Sequence, residues 1–270
     1  MRRTLAVLLA GTLLGGTASA QQAPSAEDAA ARLADSPRHG EWVVVDTPGG
    51  PVSSWVVYPE RADGAPVIVV IHEIFGLTDW IRSVADGFAA EGFIAIAPDL
   101  LSGKGPDGGG TDSLESPRTA IRDLDPAEVK VRLDGVAHYG MSLPAATDRF
   151  GVVGFCWGGS TSFRYATLQP GAGAAVVYYG GSPPSEDLAN LQVPVLGLYG
   201  GNDNRVNATI APAQEALSDT DARYEVEIYD GAGHGFLRAQ NHDELGQQNT
   251  AAATAGWPRT IAFFRELLER

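Results

Sequence analysis

The sequence predicts an α/β protein with a mainly parallel central sheet covered by helices on both faces. Three observations carry that prediction. Short apolar runs recur along the chain and read as strands buried on both sides: VIVVI (67–71), FIAIA (93–97), FGVVGF (150–155), AAVVYY (174–179) and VPVLGLY (193–199). Between them lie stretches with apolar residues at helical spacing, such as Ile81, Val84, Ala85 and Phe88, closed by Gly92. Strand and helix alternate, and this order sets parallel strands side by side under crossover helices.

Residues 1–20 are set apart from the fold. Arg2 and Arg3 precede the apolar run LAVLLAGTLLGG, and Ala18, Ser19 and Ala20 form a small-residue cleavage pattern before Gln21. That is the pattern of a signal peptide, so the protein is expected to be exported, to a periplasm or out of the cell. Residues 21–40 are polar and alanine-rich, with a short helix expected over Glu27 to Leu33. The domain proper is read as residues 41–270.

Its first two strands, EWVVVDT (41–47) and VSSWVVY (52–58), flank PGGP and form a hairpin-like pair. VIVVI and FIAIA follow, with a helix between them. The segment from Leu100 to Asp125 is rich in Gly, Pro, Ser and charge, and a loop of this length in a compact domain is expected to be functional or mobile. A helix from Pro126 to about Tyr139 leads into FGVVGF, and another follows Gly158. After AAVVYY and VPVLGLY, a helix is expected from Ala208 to Leu217, then the strand YEVEIY (224–229). A closing helix carries Trp257, Ile261, Phe264 and Leu268 on one face.

Composition narrows the function. The chain has 33 acidic against 19 basic residues, for a formal net charge of -14. Such a surface repels phosphate backbones and anionic lipid, so neither nucleic acid nor membrane is the expected partner. No segment after the leader is long and apolar enough to predict a transmembrane helix, and no membrane anchor is expected. No motif calls for a metal, nucleotide or flavin; HEIFG (72–76) lacks the second histidine of a zinc-binding HExxH helix, and His72 is read as structural.

The one cysteine of the chain, Cys156, cannot form an intramolecular disulfide. It stands where FGVVGF turns into a helix, within Gly154-Phe155-Cys156-Trp157-Gly158. This GxCxG is a nucleophile elbow with sulfur in place of oxygen, and no GxSxG competes with it. At the start of a helix the partial positive charge of the N-terminus is expected to favour thiolate. In an α/β-hydrolase the nucleophile is followed along the chain by an acid and then a histidine. Asp203, in GGNDNRV after VPVLGLY, and His234, in GAGHGF after YEVEIY, supply them in that order. His242, in the more polar NHDE, is the weaker competitor for the histidine.

These motifs together resemble the dienelactone hydrolase (carboxymethylenebutenolidase) family of the α/β-hydrolase fold. The resemblance rests on HEIFG, PDL (98–100), GFCWGG (154–159), GGNDNRV (200–206), GHGF (233–236) and the tail in which Trp257 and Pro258 precede IAFF, and it spans about residues 40–268. It implies a nucleophilic Cys156, His234 as its base and Asp203 orienting the imidazole. It also implies that Glu73 holds the resting thiol protonated and turns toward it when substrate arrives. The backbone N–H groups of Ile74 and Trp157 are implied as the oxyanion hole, and Arg238 as the receptor of a substrate carboxylate. The segment after PDL departs from the family's substrate-binding stretch; within it Arg118 and Arg122 are candidates for a second carboxylate contact. The expected activity is hydrolysis of a small lactone or ester through a thioester. The alternatives are an exported carboxylesterase of broad specificity, for which Arg238 would matter little, and a catalytically silent protein that binds a small ligand in the same pocket.

Overall fold

In the computed structural model, residues 22–241 and 244–269 are described. The predicted signal peptide and His242 lie outside them. Eight strands form one sheet: β1 (Gly40–Thr47), β2 (Gly50–Val57), β3 (Ala65–Ile71), β4 (Ile94–Pro98), β5 (Ala146–Phe155), β6 (Ala174–Tyr178), β7 (Val195–Gly200) and β8 (Tyr224–Tyr229), in the order β1-β2-β4-β3-β5-β6-β7-β8. β1 and β2 pair antiparallel as a hairpin, β2 pairs antiparallel with β4, and every later pairing is parallel.

Nine α-helices are described: α1 (Ala29–Asp35), α2 (Asp79–Ala90), α3 (Pro117–Arg122), α4 (Pro126–Ser142), α5 (Trp157–Leu168), α6 (Ser185–Leu188), α7 (Asn204–Asn207), α8 (Ile210–Leu217) and α9 (Gly246–Leu268). The alternation along β3 shows why its sequence is apolar throughout. Val67, Val69 and Ile71 join the core beneath α4, α5 and α8, whereas Ile68 and Val70 join the core beneath α2 and α9. Both faces are covered, so neither parity of the strand meets water.

The structure adds detail in three places. The helix expected over Ala208 to Leu217 is α8, and it is preceded by a short helix, α7, where the chain turns around Asp203, whose side chain accepts a hydrogen bond from Val206 N–H. The 100–125 segment holds two single 3-10 turns and α3, and Leu100, Leu101 and Ile121 are buried. Its anchor is Asp99 of the PDL motif, which accepts from both the N–H and the hydroxyl of Thr111 at 2.7 Å. Thr111 in turn accepts from Leu77 N–H at 3.0 Å, tying the segment to the loop after β3. The closing helix starts about three turns before Pro258, which lies inside it.

The chain leaves β3 toward β4 on one side and enters β5 on the other. That reversal opens a crevice beyond the carboxyl ends of β3 and β5, the place where open α/β sheets bind ligands.

Candidate active site

The crevice collects Glu73 and Ile74 after β3, Cys156 after β5, Asp203 after β7 and His234 after β8. Parallel register brings these ends level: Ile71 lies opposite Gly154, and Gly200 opposite Tyr229.

Cys156 has φ 56° and ψ -114°, a left-handed backbone that a residue with a Cβ rarely adopts. Such strain persists only where neighbours enforce it. Here Cys156 N–H donates to the Tyr178 carbonyl at 3.0 Å, and Ser160 N–H donates to the Cys156 carbonyl at 3.1 Å. The flanking glycines let the pieces close. A Cβ on Gly154 would strike the Gly158 carbonyl, and one on Gly158 would strike the carbonyls of Ile71 and His72, all at less than 3.0 Å. The first turn of α5 is thereby seated on the end of β3, and the backbone N–H groups of Trp157 and Ile74 both reach the sulfur.

Of the two expectations for the sulfur, this setting favours the protonated thiol implied by the resemblance over the thiolate expected from the helix terminus. Burial pushes the Cys156 thiol up, and the neighbouring charge of Glu73 pushes it further. The Trp157 N–H, Arg205 and the Ile74 N–H act the other way without reversing the shift. Desolvation outweighs the helix terminus because the sulfur is largely removed from water. The resting group is the thiol.

His234 and Asp203 meet. Nδ1 of the half-exposed ring lies 2.5 Å from Oδ2 of the buried Asp203 carboxylate, whose Oδ1 is held by Val206 N–H at 3.3 Å. The ring packs edge-on against Tyr179, with centroids 5.2 Å apart. With Nδ1 engaged, Nε2 is the nitrogen left for proton transfer.

Glu73 is 3% exposed and faces Arg238, with Oε2 2.9 Å from Nε. Glu73 Oε2, Arg238 Nε and the Tyr179 hydroxyl are all buried together here. Burial pushes the Glu73 carboxyl up to about 7, against the pull of Arg238 and Tyr179. Arg118 and Arg238 both lie over the Phe75 ring, with guanidinium carbons 5.1 and 5.3 Å from its centroid. Arg122 is exposed on the last turn of α3, and no hydrogen bond or ion pair among the described residues ties it to this group. The sequence reading missed Arg205 and Tyr179. Arg205 follows Asp203 by two residues, at a strand end already singled out, and that position was the available signal; nothing in AAVVYY marks Tyr179 as facing Glu73.

The Glu73 carboxyl makes stability depend on pH. Its ordinary value is 4.5 and its folded value about 7, so the folded protein holds this proton more tightly than the unfolded chain does. That contribution is complete below pH 4.5 and is lost as pH rises through about 7, where a buried carboxylate must be carried. Removing that charge is worth up to roughly 3 kcal/mol. Glu73→Gln is therefore expected to raise the thermal midpoint over the parent by about 5 °C at pH 8 and by much less at pH 4.5. Equal gains in thermal melts at both pH values would show that the carboxyl is not desolvated as described.

Residues 52–268 match the dienelactone hydrolase family. An Escherichia coli K12 protein named "Putative carboxymethylenebutenolidase" is 30% identical over 259 residues, covering 90% of this chain and 94% of its own. A Methylorubrum extorquens protein of the same name is 30% identical over 277 residues, covering 98% and 92%. Among solved structures, "Putative Dienelactone Hydrolase" from Klebsiella pneumoniae is 30% identical with a TM-score of 0.72, over 84% of this chain and 98% of that one. With the eight-stranded sheet, the strained turn at Cys156 and these similarities together, the chain belongs to the dienelactone hydrolase family, hydrolases of ester and lactone bonds on the α/β-hydrolase fold.

Proposed function

We propose that this protein is an exported hydrolase that opens a small lactone or ester through a Cys156–His234–Asp203 triad and a thioester intermediate. The observation that carries the reading is the convergence on one sulfur of a strained strand-to-helix turn and two backbone N–H groups, with a histidine oriented by a buried carboxylate in the same crevice.

The geometry supports the following steps. At rest the thiol is protonated, held so by burial and by the charge of Glu73. A carbonyl placed over the sulfur puts its oxygen where the Ile74 and Trp157 N–H groups converge. His234 Nε2 takes the thiol proton as sulfur attacks carbon, and the oxygen gains negative charge that the two N–H groups stabilise. Collapse breaks the C–O bond of the ester, and imidazolium returns the proton to the departing alkoxide or enolate. A water deprotonated by His234 then attacks the thioester, releasing the acid and restoring the thiol. Asp203 keeps the imidazole in the tautomer this exchange needs and stabilises its charged form.

Sulfur is itself readily expelled from the tetrahedral intermediate, so the leaving group must be good. This favours enol lactones and activated esters over amides. Arg238, close to Glu73 and stacked over Phe75 with Arg118, supports a substrate bearing a carboxylate. Such a group would compete with Glu73 for the guanidinium and free the glutamate to move toward the thiol.

The test is intact-protein mass spectrometry after brief exposure to a panel of lactones and enol esters, with Cys156→Ala alongside. A transient acyl adduct that maps to Cys156 and is absent from the variant is the expected result. The same adduct on the variant, or turnover with no adduct and a thiol that alkylating reagents reach only after denaturation, would overturn the covalent mechanism.

A further inference from the structure

One of the two N–H groups at the Cys156 sulfur belongs to the peptide joining Glu73 to Ile74. A peptide unit is planar and trans, so its C=O and N–H point in opposite directions, and fixing one fixes the other. The Glu73 carbonyl is fixed from two sides. His72 Nδ1 lies 2.8 Å from it, and Gly76 N–H donates to it at 3.2 Å.

His72 is itself immobilised. It is fully buried, Leu100 N–H donates to its Nε2 at 3.3 Å, and its ring stacks on Trp157 with centroids 5.5 Å apart and planes inclined by 18°. Because Nε2 accepts a hydrogen bond, the single ring proton resides on Nδ1, and Nδ1 donates to the Glu73 carbonyl. Burial holds the ring in the neutral form, against the charge of nearby Asp99.

We infer that His72 is a positioning residue for the reaction: its Nδ1–H locks the Glu73 carbonyl so that the Ile74 N–H is aimed at the oxygen that gains charge over Cys156. The same imidazole packs on the side chain of Trp157, whose N–H is the other donor, so one buried ring touches both halves of the oxyanion site. The inference rests on the reading of Cys156 as nucleophile and of these two N–H groups as its oxyanion donors. It replaces the purely structural part given to His72 from sequence. A space-filling histidine needs only its shape, whereas a positioning histidine needs a donor at the place of Nδ1.

That difference sets the experiment, run on the whole chain with p-nitrophenyl acetate. The amide nitrogen of His72→Asn sits at the place of Nδ1 and keeps the donor. The amide of His72→Gln reaches the place of Nε2, beside Leu100 N–H, and His72→Leu keeps neither. Loss of one oxyanion donor lowers kcat by about 100- to 1000-fold, and misaiming it should cost part of that, about 10- to 100-fold. The expected result is a kcat for His72→Asn within about threefold of the parent, a fall of about 10- to 100-fold for His72→Gln and His72→Leu, and little change in KM. Alkylation of Cys156 by iodoacetamide passes through no oxyanion, so its rate should stay within about threefold in all three variants.

A kcat for His72→Asn as low as that of His72→Gln would overturn the inference, as would parallel losses of kcat and alkylation, which indicate a support for the fold alone. If His72→Leu does not fold, the comparison of His72→Asn with His72→Gln decides. Failure of the underlying mechanism looks different: Cys156→Ala would then hydrolyse the ester as fast as the parent.

Discussion

Replacing Cys156 by alanine is expected to lower ester or lactone turnover by about 10⁴-fold or more while leaving the thermal midpoint within a few degrees of the parent. The size of the loss follows from the sulfur's place in the sequence of bonds. Without it no thioester forms, and the oxyanion donors and the His234–Asp203 pair can act only on a water held less well than a covalently tethered nucleophile. Stability should change little because the strained turn at φ 56° is enforced by backbone hydrogen bonds to Tyr178 and Ser160, which alanine keeps. Steady-state rates on an aryl ester and a melting curve check both halves. Turnover within about tenfold of the parent would remove Cys156 from the mechanism.

Gly154→Ala should have the reverse signature, with the fold lost before the chemistry. The added methyl meets the carbonyl of Gly158 and the N–H of Gly159, both backbone atoms of the first turn of α5. No side chain can swing aside, so the helix must lift from β5 and β3, and the packing of its buried Phe163 and Tyr165 goes with it. Overpacking a core typically costs about 1–3 kcal/mol, and a backbone clash in a sheet-to-helix joint belongs at or above the upper end, with a midpoint lower by about 10 °C. Gly171→Ala is the control. That glycine is exposed and a Cβ there meets only the flexible Gln169 side chain at 3.2 Å, so its midpoint should move by less than about 2 °C. Equal midpoints for the two variants in differential scanning calorimetry would contradict the account of the elbow.

Much of this was legible in the sequence because the signals are local. A strand covered on both faces must be apolar at every position, so VIVVI and FGVVGF announce their place without knowledge of their neighbours. The order Cys156, Asp203, His234, each just past a strand, is likewise written along the chain, since parallel strands deliver their carboxyl ends to one side of the sheet. The short helix α7 ahead of α8 was not legible, because it depends on Asp203 capping a single turn. Nor was the order within the 100–125 segment, which comes from Asp99 and Thr111, twelve residues apart, bonding across the loop.

The sequence by itself determined the fold class, the strand-to-helix joint at Cys156 and the chemical types gathered at the sheet's carboxyl edge, for these follow from periodicity and from glycines at fixed spacing. Only the tertiary structure decided the state of those groups. It buried Cys156 beside Glu73 and so made the resting group a thiol where the helix terminus alone predicted a thiolate; it set Arg238 against Glu73; and it placed His72 behind the Ile74 peptide, between Leu100 and Trp157. Desolvation and hydrogen-bond direction are properties of surroundings assembled from distant parts of the chain, and no pattern within one segment encodes them.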